Sequence, residues 1–240
     1  MSKKKIKIII YIGLNNFGFT EDRFTKEWID TRIGIFMNFT LKSLKIQTNQ
    51  DFLALVRYHE DTADIVKNVI YQYEELPPNI RFVDGKEFAK AIIDNIIGYD
   101  YLYLVRLDSD DLYHKTYIQQ LHEYTPKEDT KVLINQNGYL YDSVNNRIAE
   151  YYHFSPQFYT LIYKVDNYLK GERIKSPGGG HGNMIKLPYE IINERNYINH
   201  VHFQNASLNS FRLLNNRSLN SMGNIIDDKD EVEKIVKDFM

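Results

Sequence analysis

Through the first half of the chain, short apolar runs of strand length alternate with longer stretches whose apolar residues recur at helical spacing. That alternation is the signature of strands and helices wound into one α/β sheet. Lys7 to Ile12 is a β-branched run closed by Gly13, and it predicts a buried first strand. Phe24, Trp28, Ile33, Phe36, Thr40 and Leu44 follow near helical spacing, with Arg32 and Lys42 off the stripe; this predicts a long helix that breaks near Gln47 to Asn49. The period then repeats. Strands are predicted at Phe52 to Val56, Ile80 to Val83 and Tyr101 to Leu107, with helices between them that end before Pro77-Pro78 and near Ile97. Asp61 or Thr62 has the side chain to cap the first of those helices.

After Leu107 the rhythm changes. Lys131 to Tyr152 reads as strands with a hairpin, since Asn145-Asn146 suits the positive φ of a tight turn. Lys175 to Gly182 is polar and glycine-rich, and Tyr197 to Phe203 alternates like a strand. Val232, Ile235, Val236 and Phe239 stand at i, i+3, i+4 and i+7 behind an acidic first turn, which predicts a docked terminal helix over about 227–239. No repeat or interdomain linker interrupts the pattern, so a single domain over 1–240 is expected.

Composition narrows the chemistry. Thirty Lys and Arg against 32 Asp and Glu leave a formal net charge of −2, no footprint for a nucleic acid. With no cysteine, a disulfide framework, a thiolate metal site and a cysteine nucleophile are all excluded. The apolar run Ile8 to Leu14 is too short to span a bilayer and has no cleavage site after it. The expectation is a cytoplasmic protein without a membrane span, which leaves peripheral membrane contact open.

The sharpest feature is Arg106-Leu107-Asp108-Ser109-Asp110-Asp111, where the fourth strand runs out. Strand ends border the ligand crevice of an open α/β sheet, and paired carboxylates there can hold a hard cation beside a diphosphate. Asp111 is also suited to cap a helix beginning near Tyr113. Gly13 to Gly18 has the outer spacing of a phosphate loop, but Phe19-Thr20 stands where Lys-Ser/Thr would be needed, which excludes an ATP-type loop. His200-Val201-His202 would present two imidazoles on one face, either of them a candidate third ligand; His181 sits in the glycine run.

The order of these elements, with Trp28 and Arg32 on the long helix, Ser43 to Gln47 after it, Glu60-Asp61-Thr62 closing the second strand and the acidic motif closing the fourth, resembles GT-A type glycosyltransferases. More narrowly it is similar to a bacterial rhamnosyltransferase family, whose closing segment resembles Val201 to Ser207. The resemblance implies a Rossmann-related, GT-A-like domain with a mixed central sheet flanked by helices. A nucleotide-binding half would occupy about 1–112 and an acceptor-side half about 113–214. It implies transfer of a sugar, rhamnose being one candidate, from a nucleotide-diphosphate donor to a saccharide or lipid-linked acceptor, as in polysaccharide biosynthesis.

By position, Glu60 and Asp61 would meet the nucleotide, and Asp108, Asp110 and His202 would hold Mn²⁺ or Mg²⁺. Arg32 and Arg106 are phosphate partners by their chemistry. The Glu-Asp or Asp-Asp pair that supplies the base in many inverting relatives is missing, so Glu194 is the candidate catalytic base, with Glu190 the other carboxylate between Gly182 and His202. Two other readings share the motif: a metal-dependent phosphohydrolase, and a non-catalytic nucleotide- or sugar-binding module.

Overall fold

The computed structural model describes residues 4–16, 21–203, 205 and 222–240. Two mixed sheets carry the fold. The larger has seven strands in the order β10-β6-β9-β4-β1-β2-β3. Its parallel half comprises β1 (Ile6–Gly13), β2 (Leu53–Tyr58), β3 (Ile80–Asp84) and β4 (Tyr101–Asp108). Antiparallel pairing of β9 (Tyr159–Lys164) with both β4 and β6 (Val132–Asn135) makes the sheet mixed, and β10 (Tyr189–Ile192) adds a parallel edge.

The period of two along β1 sorts its side chains onto two helical layers. Ile8, Ile10 and Ile12 pack with Ile29, Ile33 and Phe36 of α1 (Lys26–Asn38) and with Val66 and Val69 of α3 (Ala63–Ile70). On the opposite face, Ile9 joins Leu53 and Leu55, Ile92 and Ile96 of α4 (Phe88–Ile96), and Tyr168 of α6 (Val165–Leu169). Covered on both faces, the central strands read as unbroken apolar runs.

The second sheet, β12-β8-β7-β11-β5, contains the hairpin of β7 (Asn137–Asp142) and β8 (Arg147–Tyr152), together with β11 (Tyr197–Val201), β5 (Leu112–Tyr113) and β12 (Met222–Ile226). The hairpin turns where predicted, and Asn146 has φ 47°. The terminal helix α7 (Lys229–Val236) is capped by Asp228, whose carboxylate accepts the Glu231 N–H at 3.0 Å; Val232, Val236 and Phe239 seal a third apolar cluster with Leu112, Ile148 and Ile198.

Three sequence expectations are corrected. The long helix is two, α1 and α2 (Thr40–Lys45), parted at Phe39, whose ψ of −76° leaves the helical path. The helix after the acidic motif does not start near Tyr113: β5 intervenes, and α5 covers Tyr117–Glu123. Asp61 caps nothing with its side chain; the His59 imidazole accepts the Asp61 N–H at 3.3 Å, and Thr62, at the start of α3, donates its hydroxyl to His59 O at 2.7 Å.

Candidate active site

The parallel order reverses between β1 and β4, the point at which open α/β sheets leave a crevice at their carboxyl ends. In register, Gly13 at the end of β1 stands opposite Asp108 at the end of β4. A crevice of about 1260 Å³ opens there. Tyr11, Trp28 and Tyr159 give it aromatic walls, Arg23, Arg32, Arg106 and Lys175 line it with positive charge, and Asp108 is set among them. That combination suits an anion carrying a flat or ring-shaped group.

The acidic motif separates its three carboxylates by environment. Asp108 turns to Arg106, whose Nη2 donates to both carboxylate oxygens at 3.0 and 3.2 Å. Asp110 is buried and meets three donors: Arg32 Nη1 at 3.1 Å, His202 Nε2 at 3.0 Å and Asn205 Nδ2 at 3.4 Å. Burial opposes its charge, but the Arg32 guanidinium and the His202 hydrogen bond prevail and hold its carboxyl well below the usual range. Asp111 goes the other way. Burial, reinforced by the charges of Asp110 and Asp108, raises its carboxyl well above the usual value. It accepts the His200 N–H at 2.9 Å and a Gln157 Nε2–H at 3.4 Å, and so ties the motif to β11 instead of capping a helix.

The two histidines of β11 and its end have different jobs. His200 donates from Nδ1 to Asp110 O at 3.1 Å, so its Nε2 accepts from Ser143 Oγ at 2.7 Å. Enclosed against Phe39, it is pushed down to about 4 by burial and by His202, and it stays neutral. His202 instead points its Nε2 at the Asp110 carboxylate, and the two rings are 4.9 Å apart. Gln204, Ala206 and Ser207 of the closing segment lie outside the described residues.

Of the predicted site residues, Arg32, Arg106 and Asp108 line the crevice, while Asp110 and His202 are buried behind that lining, Asp110 touching the lining residues Arg32 and Asn205. Asp110 and His202 meet directly, whereas Asp108 is turned to Arg106; among the described residues no group of three or more His, Cys, Asp or Glu is arranged to hold a metal. Glu60 and Asp61 lie outside the crevice lining, Glu60 facing Lys86 at 4.0 Å. Glu194 is exposed on the loop before β11 and its charge is felt by Tyr124, while neighbouring Arg195 pairs with Glu150 at 3.1 Å. Glu190 is held by Tyr124, Thr130 and the Lys127 N–H. The charged groups lining the crevice that sequence reasoning passed over are Asp22, Arg23 and Lys175, whose only signal was proximity to Trp28 and to the glycine run; His181, noted there without a role, lines it too.

A switch-point crevice with an acidic motif ending its central strand is the arrangement of a GT-A type glycosyltransferase. Across residues 20–140, just over half of its length, the chain matches the family described as "Putative rhamnosyl transferase", and it belongs to that family of glycosyltransferases. Among curated proteins no sequence match is found. Distant likeness extends to solved structures. Staphylococcus aureus TarS is 14% identical with a TM-score of 0.41 over 97% of this chain and 42% of that one. A TarS fragment, 1–349, in complex with UDP is 15% identical with a TM-score of 0.43, over 96% and 69%. A cytidylyltransferase from Leptospira borgpetersenii is 13% identical with a TM-score of 0.42, over 98% and 94%. This chain therefore spans less than half the length of full TarS. No helix among the described residues is long and apolar enough to cross a membrane.

Proposed function

We propose that the protein moves a sugar, rhamnose being the first candidate, from a nucleotide-diphosphate donor to a saccharide or lipid-linked acceptor, with a divalent cation at the acidic motif. The observation that carries this reading is the Asp110 carboxylate, kept ionised in a buried position and facing the His202 imidazole at 3.0 Å beside a cation-lined crevice. The diphosphate would lie along Arg106, Arg32, Arg23 and Lys175, and the crevice's aromatic rings would flank the nucleoside or sugar.

The donor set would suit Mn²⁺ or Mg²⁺ once His202 gives up the Nε2 hydrogen it now donates to Asp110: one hard carboxylate oxygen and one imidazole nitrogen, with phosphate oxygens and water to complete the set. Asp110 and His202 would hold the ion, with Asp108 within the same motif. A cation bound there would neutralise charge developing on the departing diphosphate. Arg106 would share that work, and Arg32, paired with Asp110 and bonded through Nε to Ser109 Oγ at 2.9 Å, would orient the carboxylate toward the ion. Glu194 stands outside the crevice lining, so the base falls to a crevice group; His181, lowered by burial and by nearby Arg106 and His153, would be neutral and able to accept a proton.

Calorimetry of UDP and dTDP with Mn²⁺ and with EDTA tests the site, and incubation with nucleotide sugars tests the reaction. Cation-dependent binding and release of nucleoside diphosphate are expected. Equal affinity in EDTA would remove the cation, and release of inorganic phosphate would mark a hydrolase instead.

A further inference from the structure

The segment that leaves β8 runs to the crevice and is tied down at nearly every residue. His153 N–H donates to Gln136 O at 3.0 Å, and Gln136 Nε2 donates back to Phe154 O at 2.8 Å. Ser155 N–H donates to His153 Nδ1 at 3.1 Å, while its hydroxyl donates to His181 O at 2.9 Å. Two residues on, Gln157 reaches Asp111. The segment therefore links the acidic motif on one side to the glycine loop on the other. That loop is itself shaped by three successive positive φ values at Gly178, Gly179 and Gly180, and it brings His181 into the crevice lining.

On this fixed backbone Phe154 remains 52% exposed, its ring lying nearly parallel to the His153 imidazole, with centroids 5.0 Å apart and planes at 20°. The His153 ring is in turn 6.5 Å from that of His181. A single exposed phenylalanine is ordinary on a protein surface. This one differs because hydrogen bonds on both sides hold it out, and because it continues the wall of the crevice through two imidazoles. An apolar plane beside polar rings has the complementary shape of a pyranose, which offers one C–H face and a rim of hydroxyls.

We propose that Phe154, His153 and His181 form the acceptor subsite, Phe154 stacking on the C–H face of a saccharide's pyranose ring while His181 hydrogen-bonds one of its hydroxyls. The proposal rests on the glycosyltransferase reading and specifies the acceptor as a sugar ring rather than a bare lipid or protein hydroxyl. His153 and Phe154 stand outside the crevice lining and approach it through the His181 ring, so a sugar ring seated there leaves the cationic crevice to the donor. Burial and the nearby charges lower the His181 imidazole, which leaves it neutral and able to accept a hydroxyl hydrogen bond.

Saturation-transfer NMR on the full chain tests this, with methyl pyranosides of the gluco, galacto, manno, rhamno and N-acetylglucosamine series, each run with and without UDP and Mn²⁺. At least one glycoside should receive saturation, strongest on the protons of one ring face. Phe154→Ala should remove that signal and Phe154→Tyr should keep it, with the UDP dissociation constant within twofold in both. His181→Gln should weaken the glycoside about fivefold, the worth of one hydrogen bond. Saturation of none of the glycosides, or a signal unchanged in Phe154→Ala, overturns the proposal. Failure of UDP to bind the unaltered protein would instead count against the transferase reading, and the nucleotide-free arm keeps the two failures apart.

Discussion

Two buried polar clusters share β11 and its approach, and they are built on opposite principles. Before the strand, Asn196 donates to Asn135 Oδ1 at 3.1 Å, Asn135 donates to Tyr117 Oη at 3.1 Å, and Tyr117 meets Thr160 Oγ1 at 2.9 Å. All four residues have no solvent exposure, and none is charged. At the other end of the strand, Arg32, Asp110 and His202 gather charge behind the crevice lining, beside the Asp111 carboxyl. Neutral amides and hydroxyls can satisfy one another inside a fold without the desolvation penalty of ions. Charge persists next door because Arg32 and His202 compensate Asp110, and because Arg32 itself reaches the crevice lining. The neutral cluster ties β6 and β9 to the approach of β11; the charged one stands behind the crevice lining.

The largest expected effect separates the two directly. Asp110→Asn removes the carboxylate that faces His202, and transfer should fall about 100-fold or more, the scale of losing one electrostatic group from a preorganised site. Cation dependence of nucleotide binding should vanish with it. Because Arg32 is then left without its partner, some loss of stability is expected, so the readout is nucleotide affinity on folded protein at low temperature. Asn135→Leu should do the reverse. It takes one hydrogen bond each from Tyr117, Asn196 and the Phe158 carbonyl, which keep Thr160, Gln120 and the backbone N–H of position 135, and should cost about 2–4 kcal/mol in denaturant unfolding, while UDP affinity stays within twofold. A loss of affinity there without a loss of stability would mean that the clusters are not separate.

Packing around the neutral cluster gives the next effect. A Cβ at Gly138 would come within 2.2 Å of the Tyr197 ring, which is itself stacked on Phe158 at 3.8 Å. Gly138→Ala should therefore destabilise by roughly 1–3 kcal/mol through overpacking, read as a lower Tm, with nucleotide binding retained.

How much of this was legible depends on which atoms carry the information. β1 to β4 stand in the sequence because strands covered on both faces must be apolar throughout, and the acidic motif stands out because three carboxylates cannot close a buried strand without partners. The partners themselves could not be read. Asp111 has the residue type of a helix cap, but the His200 N–H, 89 positions away, claims its carboxylate, and the expected helix begins only at Tyr117. Glu194 stood as base candidate only because the expected carboxylate pair is missing, and the fold leaves it on the surface. Tyr11, Tyr159 and His181 join one crevice from β1, β9 and the glycine loop, a juxtaposition that exists only once the sheet order is fixed.

A charged group outside the crevice sharpens the contrast further. Asp142, the last residue of β7, is 1% exposed at its side chain and accepts from Arg147 Nε at 2.9 Å and Asn145 Nδ2 at 2.7 Å. Burial opposes its charge, yet these bonds lower its carboxyl below the usual value of 3.8. A group depressed in the folded state stabilises above its unfolded pKa and loses that contribution as pH falls through the folded one. Asp142→Asn should cost roughly 1–3 kcal/mol at neutral pH and flatten the loss of stability below about pH 4, without touching nucleotide affinity. An unchanged acid limb in urea titrations would remove Asp142 as its source.

The smallest effect is expected at Asp61, where the family resemblance and the geometry make opposite demands. The resemblance sets it against the nucleotide, but its side chain is 79% exposed, lies outside the crevice lining and approaches His59 at 3.7 Å. Its backbone N–H is received by the His59 imidazole, so removing the carboxylate leaves the turn's hydrogen bonds in place. Asp61→Ala should therefore change stability by no more than about 0.5 kcal/mol, the range of exposed substitutions, and leave UDP and dTDP affinity within twofold. His59→Ala provides the control, since it removes the acceptor for that N–H and the edge-on contact with Phe24 at 5.0 Å, and should cost more than Asp61→Ala. A tenfold loss of nucleotide affinity in Asp61→Ala would show that the carboxylate reaches the nucleoside when the donor is bound, and the division between a charged site at the crevice and a solvated β2 end would have to be redrawn.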